Sequence, residues 1–140
     1  MLNVITKQLS IHTTGEGDIS DITSKVSKAV AETTLKNGIV TVFVSGSTGA
    51  LTTIEYETGL LKDLPDMLER VAPKDFGYEH EKRWHDGNGH SHVRASLIGP
   101  SLTVPFVNGR LTLGTWQQII FMELDVRSRV RNLVIQIMGE

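Results

Sequence analysis

The stretch from Tyr78 to Gly99, YEHEKRWHDGNGHSHVRASLIG, carries His80, His85, His90 and His92, four of the chain's five histidines. Neutral imidazoles near a carboxylate are the usual ligands of zinc and other divalent metals. Glu55, Asp86, His80, His85, His90 and His92 could supply such a set. No HExxH-type spacing is present, so the competing reading is a solvated polar loop whose histidines cap turns. The backbone decides between chemistries. As a strand, His90, His92 and Arg94 share one face and give a His-x-His clamp. As a helix, residues two apart diverge by roughly 200°. The punctuation favours a helix: Asn88 as N-cap, Val93 and Leu97 at i, i+4, Gly99 at C′, and Pro100 just beyond. The free amides of Gly89, His90 and Ser91 would then favour an anion at the helix start.

Three other places could bind a ligand. The loop Ser45-Gly46-Ser47-Thr48-Gly49 follows an apolar run, and Ser47, Thr48 and its amides could hold a phosphate, although no GK[ST] follows and a simple tight turn is the commoner use of such residues. Arg127 and Arg129 could clamp a phosphate or carboxylate, or simply sit in a solvated turn. Trp116 could stack a planar ring that Gln117 hydrogen-bonds, against core or interface packing as the commoner use.

The elements that must position these residues can be read in order. Leu2–Ile11 alternates as a strand with Lys7 as the exception, and Ser20 or Asp21 caps a helix from Ile22 that Asn37-Gly38 stops. Ile39–Val44 is apolar without alternation, which predicts a strand covered on both faces. Leu51–Tyr56 is a strand. Leu60–Val71 is helical, with Pro65 opening a new turn. Ser101–Val107 and Arg110–Leu113 form a hairpin around Asn108-Gly109. Trp116–Leu124 and Val130–Met138 are two further strands. In the last of these Arg131, Leu133, Ile135 and Ile137 face one way. Strands dominate, so the expected fold class is α+β: a two-layer sandwich of largely antiparallel β-sheet with helices, in one domain spanning residues 1–140.

Composition bounds the function. The 14 Lys and Arg against 16 Asp and Glu give a net charge of −2, which lacks the basic field of a nucleic-acid binder. With no cysteine, disulfides, thiolate metal sites and cysteine nucleophiles are excluded. No long apolar run suggests a membrane span or signal peptide, and a cytoplasmic protein is expected.

The stretches DGNGHSHVRASLIGPSLTVP, NGRLTLGTWQQI and ELDVRSRVRNLVIQIMG, in that order, resemble the YjbQ family, also called the secondary thiamine-phosphate synthase family. The resemblance implies an α+β sandwich assembling as a homotrimer. It also implies a weak or secondary transferase activity that couples hydroxymethylpyrimidine diphosphate to a thiazole phosphate. The family's Tyr-x-His falls on Tyr78 and His80, a further histidine on His92, the threonine-rich strand with its glutamate on Thr52 to Glu55, and the GTWQ motif on Gly114 to Gln117. Many members carry His-Thr-Thr where this chain has Gly46-Ser47-Thr48, and Asp-Gly-Pro-Arg where it has Asp125-Val126-Arg127.

The expected catalytic residues are accordingly His80, His92, Glu55 and Gln117. Ser47, Thr48, Asn88, Trp116, Arg127 and Arg129 are expected to hold a small phosphorylated substrate. His80, His90 and His92 are expected to bind a divalent cation, magnesium or zinc. Two other functions compete: a metal-dependent hydrolase of a small phosphorylated substrate, and a non-catalytic trimer that binds a metabolite or metal.

Overall fold

The computed structural model describes every residue from Met1 to Glu140. In chain order the elements are β1 (Asn3–His12), β2 (Ile19–Asp21), α1 (Thr23–Ala31), β3 (Gly38–Val44), β4 (Gly49–Ile54), α2 (Thr58–Val71), α3 (Glu79–Trp84), α4 (Gly89–Ile98), β5 (Ser101–Val107), β6 (Arg110–Leu111), β7 (Gln118–Glu123) and β8 (Val130–Gly139). Five strands form one sheet in the order β1-β8-β3-β5-β6, and three form another in the order β2-β7-β4. Every pairing is antiparallel, so the expected α+β sandwich is the observed fold.

Strand β7, the middle strand of the small sheet, lies between the large sheet and the helices α2 and α4. Ile119 and Phe121 enter the main core with α1 and the large sheet. Ile120 and Met122 point the other way, onto Leu68 of α2 and Ala95 of α4. The strand buried on both faces is therefore β7, whereas β3 alternates: Val40, Val42 and Val44 are buried while Ile39 and Phe43 are exposed. The unalternating apolar run of β3 reflects an outer sheet face that carries apolar residues without being covered. On that face Val4, Met138, Ile39 and Pro105 form one cross-strand row, and Gln8, Val134, Phe43 and Ser101 another.

Local signals were mostly obeyed. Asp21 accepts hydrogen bonds from the amide and hydroxyl of Thr23 at the start of α1, at 3.0 and 2.6 Å. Asn108 and Gly109 turn the β5–β6 hairpin with φ of 52° and 76°. Lys7, inward on β1, reaches out to Glu32 of α1 at 2.7 Å. Two of these local expectations fail. Helix α1 ends at Ala31 with Glu32 as C-cap, well before Asn37-Gly38. Pro65 lies inside one continuous α2. It removes the donor for the Leu61 carbonyl, which is tolerated where only Leu68 is fully buried and water can replace the lost bond. The short strand β2 and the short helix α3 had no clear periodicity to announce them.

Gly38 is needed for close approach rather than as a helix stop. A Cβ there would lie 2.0 Å from the Met138 carbonyl oxygen, and one on Gly139 would lie 2.2 Å from that of Asn37. Both contacts are with backbone, so nothing nearby can rotate away. Gly38→Ala is expected to cost roughly 1–3 kcal/mol, the range for overpacking a fitted interior. Urea unfolding checks it, and an unchanged midpoint would refute the close-approach argument.

Candidate functional site

The site grows out of how the chain turns between α3 and α4. Helix α3 ends on His85 in the left-handed conformation (φ 54°), and Gly87 (φ 75°) completes the reversal. Asp86 is folded back towards the start of α3. Its Oδ1 accepts the Asn88 amide at 3.0 Å and lies 3.5 Å from Nδ1 of His80. On α4, His92 faces this turn, and the rings of His80 and His92 lie 4.4 Å apart between centroids. One ligand atom from each of His80, Asp86 and His92 lies within 4.8 Å of the other two.

Nδ1 of His80 is buried and makes no hydrogen bond. An unsatisfied buried polar atom is costly and rare. Its position beside a carboxylate and a second imidazole fits a shared cation. Two imidazoles and one carboxylate suit zinc or another transition metal better than magnesium, which prefers an all-oxygen shell.

His90 is not part of this set. The two-residue helical offset turns it inward, where it is 2% exposed and its Nε2 pairs with Glu16. Lys74 also reaches Glu16, at 2.8 Å. Burial works to raise the Glu16 carboxyl, but Lys74 and His90 outweigh it and hold it below its ordinary value of 4.5. Because its folded value is depressed, the pair contributes stability above the unfolded value, and that contribution is lost as pH falls through the folded value. Acid denaturation of Glu16→Gln is therefore expected to show a shallower loss of stability below about pH 4.5. Parallel slopes in wild type and variant would refute this.

The anion site expected at the start of α4 is already filled from within the chain. Asn88 is the N-cap residue as expected. The carboxylate of Glu81, however, accepts the amides of Gly89 and Gly87 at 2.6 and 2.8 Å. A helix start favours a negative charge, and Glu81, two residues past the start of α3, supplies it before any ligand arrives. The Asn88 side chain points the other way. It accepts from the Val126 amide and the Ser91 hydroxyl, both at 3.0 Å, and donates to Asp125.

Behind the site lies a buried polar network. Glu123 is 0% exposed and is paired to Arg131 through Nε and Nη2. Thr48 donates to Asp125 at 3.0 Å and accepts from Nη2 of Arg131 at 2.8 Å. Arg129 also reaches Asp125, at 3.0 Å. Burial raises the Asp125 carboxyl, and the Arg127 amide, Arg129 and Thr48 together pull it below its ordinary value. Thr48, Asn88 and Arg129 thus come together around Asp125 and spend these hydrogen bonds within the chain. The Arg127 side chain is exposed.

A cavity of about 210 Å³ adjoins the cluster, lined by Gly46, Ser47, Gly49, His92, Ala95, Ser96 and Pro100. Ser47 is the predicted anion-binding residue that lines it. Glu55 lies past the end of β4 and is exposed. Six residues beyond Gly49 along an extended chain is roughly 20 Å, so Glu55 does not join His80 and His92. Gln117 donates to Thr53 at 3.2 Å, at that same far end of β4. There it lines a separate groove of about 340 Å³ with Ser101 and Thr103. Trp116 is 72% exposed. His85 is exposed and lies outside the cluster.

Asp86 was recognisable as a candidate from its place among the histidines. Glu123 and Arg131 were missed, although each breaks an apolar pattern: a glutamate closing IIFME and an arginine on the inward face of the last strand.

The comparisons with known proteins agree with the fold and add no chemistry. A family model described as "UPF0047 protein YjbQ-like" matches residues 7–140. A UPF0047 protein of Methanothermobacter thermautotrophicus is 41% identical over 99% of this chain and 95% of its own length. The UPF0047 protein YugU of Bacillus subtilis is 36% identical over 95% of this chain and 98% of its own. A crystal structure of a YbjQ-like protein of unknown function from Sulfolobus solfataricus superposes with a TM-score of 0.93 at 30% identity, covering 100% of both chains. One from Clostridium acetobutylicum, described as an ortholog of YugU, gives 0.84 at 34% identity over 94% of this chain and 98% of that one. No helix is long and apolar enough to cross a membrane.

Proposed function

The chain belongs to the UPF0047 YjbQ-like family, and we propose that it is an enzyme whose His80, Asp86 and His92 hold a divalent transition metal, most suitably zinc, beside a cavity for one small phosphorylated metabolite. The observation that carries this reading is the approach of three ligand atoms to within 4.8 Å around a buried, unpartnered Nδ1 of His80. A bound cation would supply Lewis acidity towards a phosphoryl oxygen. Ser47 offers a hydroxyl to the same group, and the Ser45–Thr48 loop donates no backbone amide elsewhere in the chain. Asp86 is oriented by the Asn88 amide.

The size of the cavity supports one reaction over another. At about 210 Å³ it is below the 300–1,000 Å³ of ordinary ligand pockets, so it suits one small reactant plus water. That favours hydrolysis of a phosphate ester. Coupling of hydroxymethylpyrimidine diphosphate to a thiazole phosphate is the second reading. It is favoured by the sequence resemblance and by the exposure of Ser47 and Ser96 at the cavity's mouth, where another subunit could complete a place for the second reactant.

Elemental analysis of protein purified without chelator tests the metal, with about one transition-metal ion per chain expected. Phosphate release from a panel of small phosphate monoesters tests hydrolysis, and product analysis with the pyrimidine diphosphate and thiazole phosphate tests coupling. Substoichiometric metal with neither activity would leave a binding protein.

A homotrimer is part of the proposal. The outer face of the large sheet, across β1, β8, β3 and β5, presents Val4, Met138, Ile39, Pro105, Val134 and Phe43 without one Lys, Arg, Asp or Glu among its cross-strand rows. A sheet face without charges, mixing these apolar residues with Thr6, Gln136, Thr41 and Thr103, suits an interface, whose core is depleted of charged side chains. Light scattering is expected to give three times the 15.4 kDa chain mass, and a monomer mass at micromolar concentration would refute it.

A further inference from the structure

We infer that Arg131 is a phosphate-reading residue of the cavity beside His92, reaching a bound phosphoryl group through the gap left by the missing side chain of Gly46. Arg131 is an inward residue of β8 and its side chain is 9% exposed. Nε and Nη2 are committed to Glu123 and Thr48, whereas Nη1 donates to nothing in the chain. Yet Nη1 is not enclosed: the single buried, unpartnered side-chain nitrogen or oxygen of the molecule is Nδ1 of His80. Nη1 sits against Gly46, where a Cβ would lie 2.9 Å from it. Gly46 itself lines the cavity with Ser47, Gly49 and His92. A guanidinium nitrogen free of protein partners is thus separated from the cavity only by a residue without a side chain.

The chemistry this suits is a phosphate monoester. A planar guanidinium with one edge held by a carboxylate keeps its remaining N–H groups for an anionic oxygen. The free amides of the Ser45–Thr48 loop and the Ser47 hydroxyl add uncharged donors. Gly46 makes the arrangement possible, because any larger residue would stand between Nη1 and the cavity. The backbone at Gly46 has no positive φ, so an alanine there would strain no backbone angle and would crowd only Nη1 of Arg131, and the glycine is explained by the space it leaves.

The inference rests on the cavity of the proposed function but not on its metal, and the test separates the two. Binding of inorganic phosphate is measured by calorimetry on metal-free protein, beside cobalt binding followed by absorbance. Wild type is expected to bind phosphate at millimolar concentration or below. Gly46→Ala is expected to bind it about tenfold or more weakly, the loss of one charge-assisted hydrogen bond, with cobalt binding unchanged. Arg131→Lys is expected to weaken phosphate likewise, provided its circular dichroism is native. His92→Ala is expected to lose cobalt binding and keep phosphate binding within a few-fold. Equal phosphate affinity in wild type and Gly46→Ala, or no binding to metal-free wild type at 10 mM, roughly the weak limit for a single-anion site, overturns the inference whatever the metal does. Phosphate binding that depends on Gly46 in a protein that takes up no cobalt overturns the metal reading alone.

Discussion

Replacing His92 with alanine is expected to lower the affinity for a divalent transition metal by more than about a hundredfold. Groups that only orient a ligand are typically worth 10–100-fold, and His92 would be a ligand itself. The structure leaves no nearby histidine to substitute. His90, two residues away, is turned into the protein against Glu16, and His85 stands outside the cluster. The same loss is expected for His80→Ala. Its Nδ1 is buried without a hydrogen-bond partner, so removing it relieves an unsatisfied atom and should not destabilise the metal-free fold. The diagnostic pattern is therefore loss of cobalt absorbance with an unchanged melting temperature in the absence of metal. His90→Ala is expected to do the reverse: retained metal binding and a lower melting temperature, because a side chain 2% exposed is removed and Glu16 loses its partner. Metal loss in His90→Ala together with metal retention in His92→Ala would overturn the assignment.

Breaking the Glu123–Arg131 pair from one side is expected to be the most damaging single change to stability. Arg131→Met leaves Glu123, 0% exposed, without its counter-charge. Removing one partner of a buried ion pair costs about 3–5 kcal/mol. The Thr13 hydroxyl and the Asp125 amide still donate to Glu123, which limits the loss but cannot neutralise the charge. At roughly 2–4 °C per kcal/mol for a chain of this size, the melting temperature should fall by about 10 °C. Replacing both residues with apolar ones of similar volume, Glu123→Leu with Arg131→Met, is expected to recover most of that, because neither desolvation penalty remains. The pair then has a role other than stability, consistent with an arginine kept buried for a ligand. A double variant no more stable than Arg131→Met alone would mean that the surrounding network, not the charge imbalance, sets the cost.

Local signals in the sequence determined a good deal. Alternation marked β1 and β8 and assigned their faces. Asn108-Gly109 placed the hairpin because a tight two-residue turn demands positive φ. Asn88 and Gly99 marked the ends of α4, and helical geometry alone separated His90 from His92. Each of these depends on residues within a few positions of one another. The tertiary structure decided the rest. Whether β3 was covered on both faces depended on which strand comes to lie between the large sheet and the helices α2 and α4, and that strand is β7. The set around His80 and His92 was completed by Asp86 and not by Glu55, because β4 carries Glu55 away from the cavity that begins at Gly49. The anion-ready start of α4 was answered by Glu81, through a turn built from His85 and Gly87 whose return direction no periodicity encodes. Thr48, Asn88, Glu123, Asp125, Arg129 and Arg131 come from four separate stretches. Their charges are tolerable only when brought together, so the network, and the position of Nη1 of Arg131 beside Gly46, exists only in the folded chain.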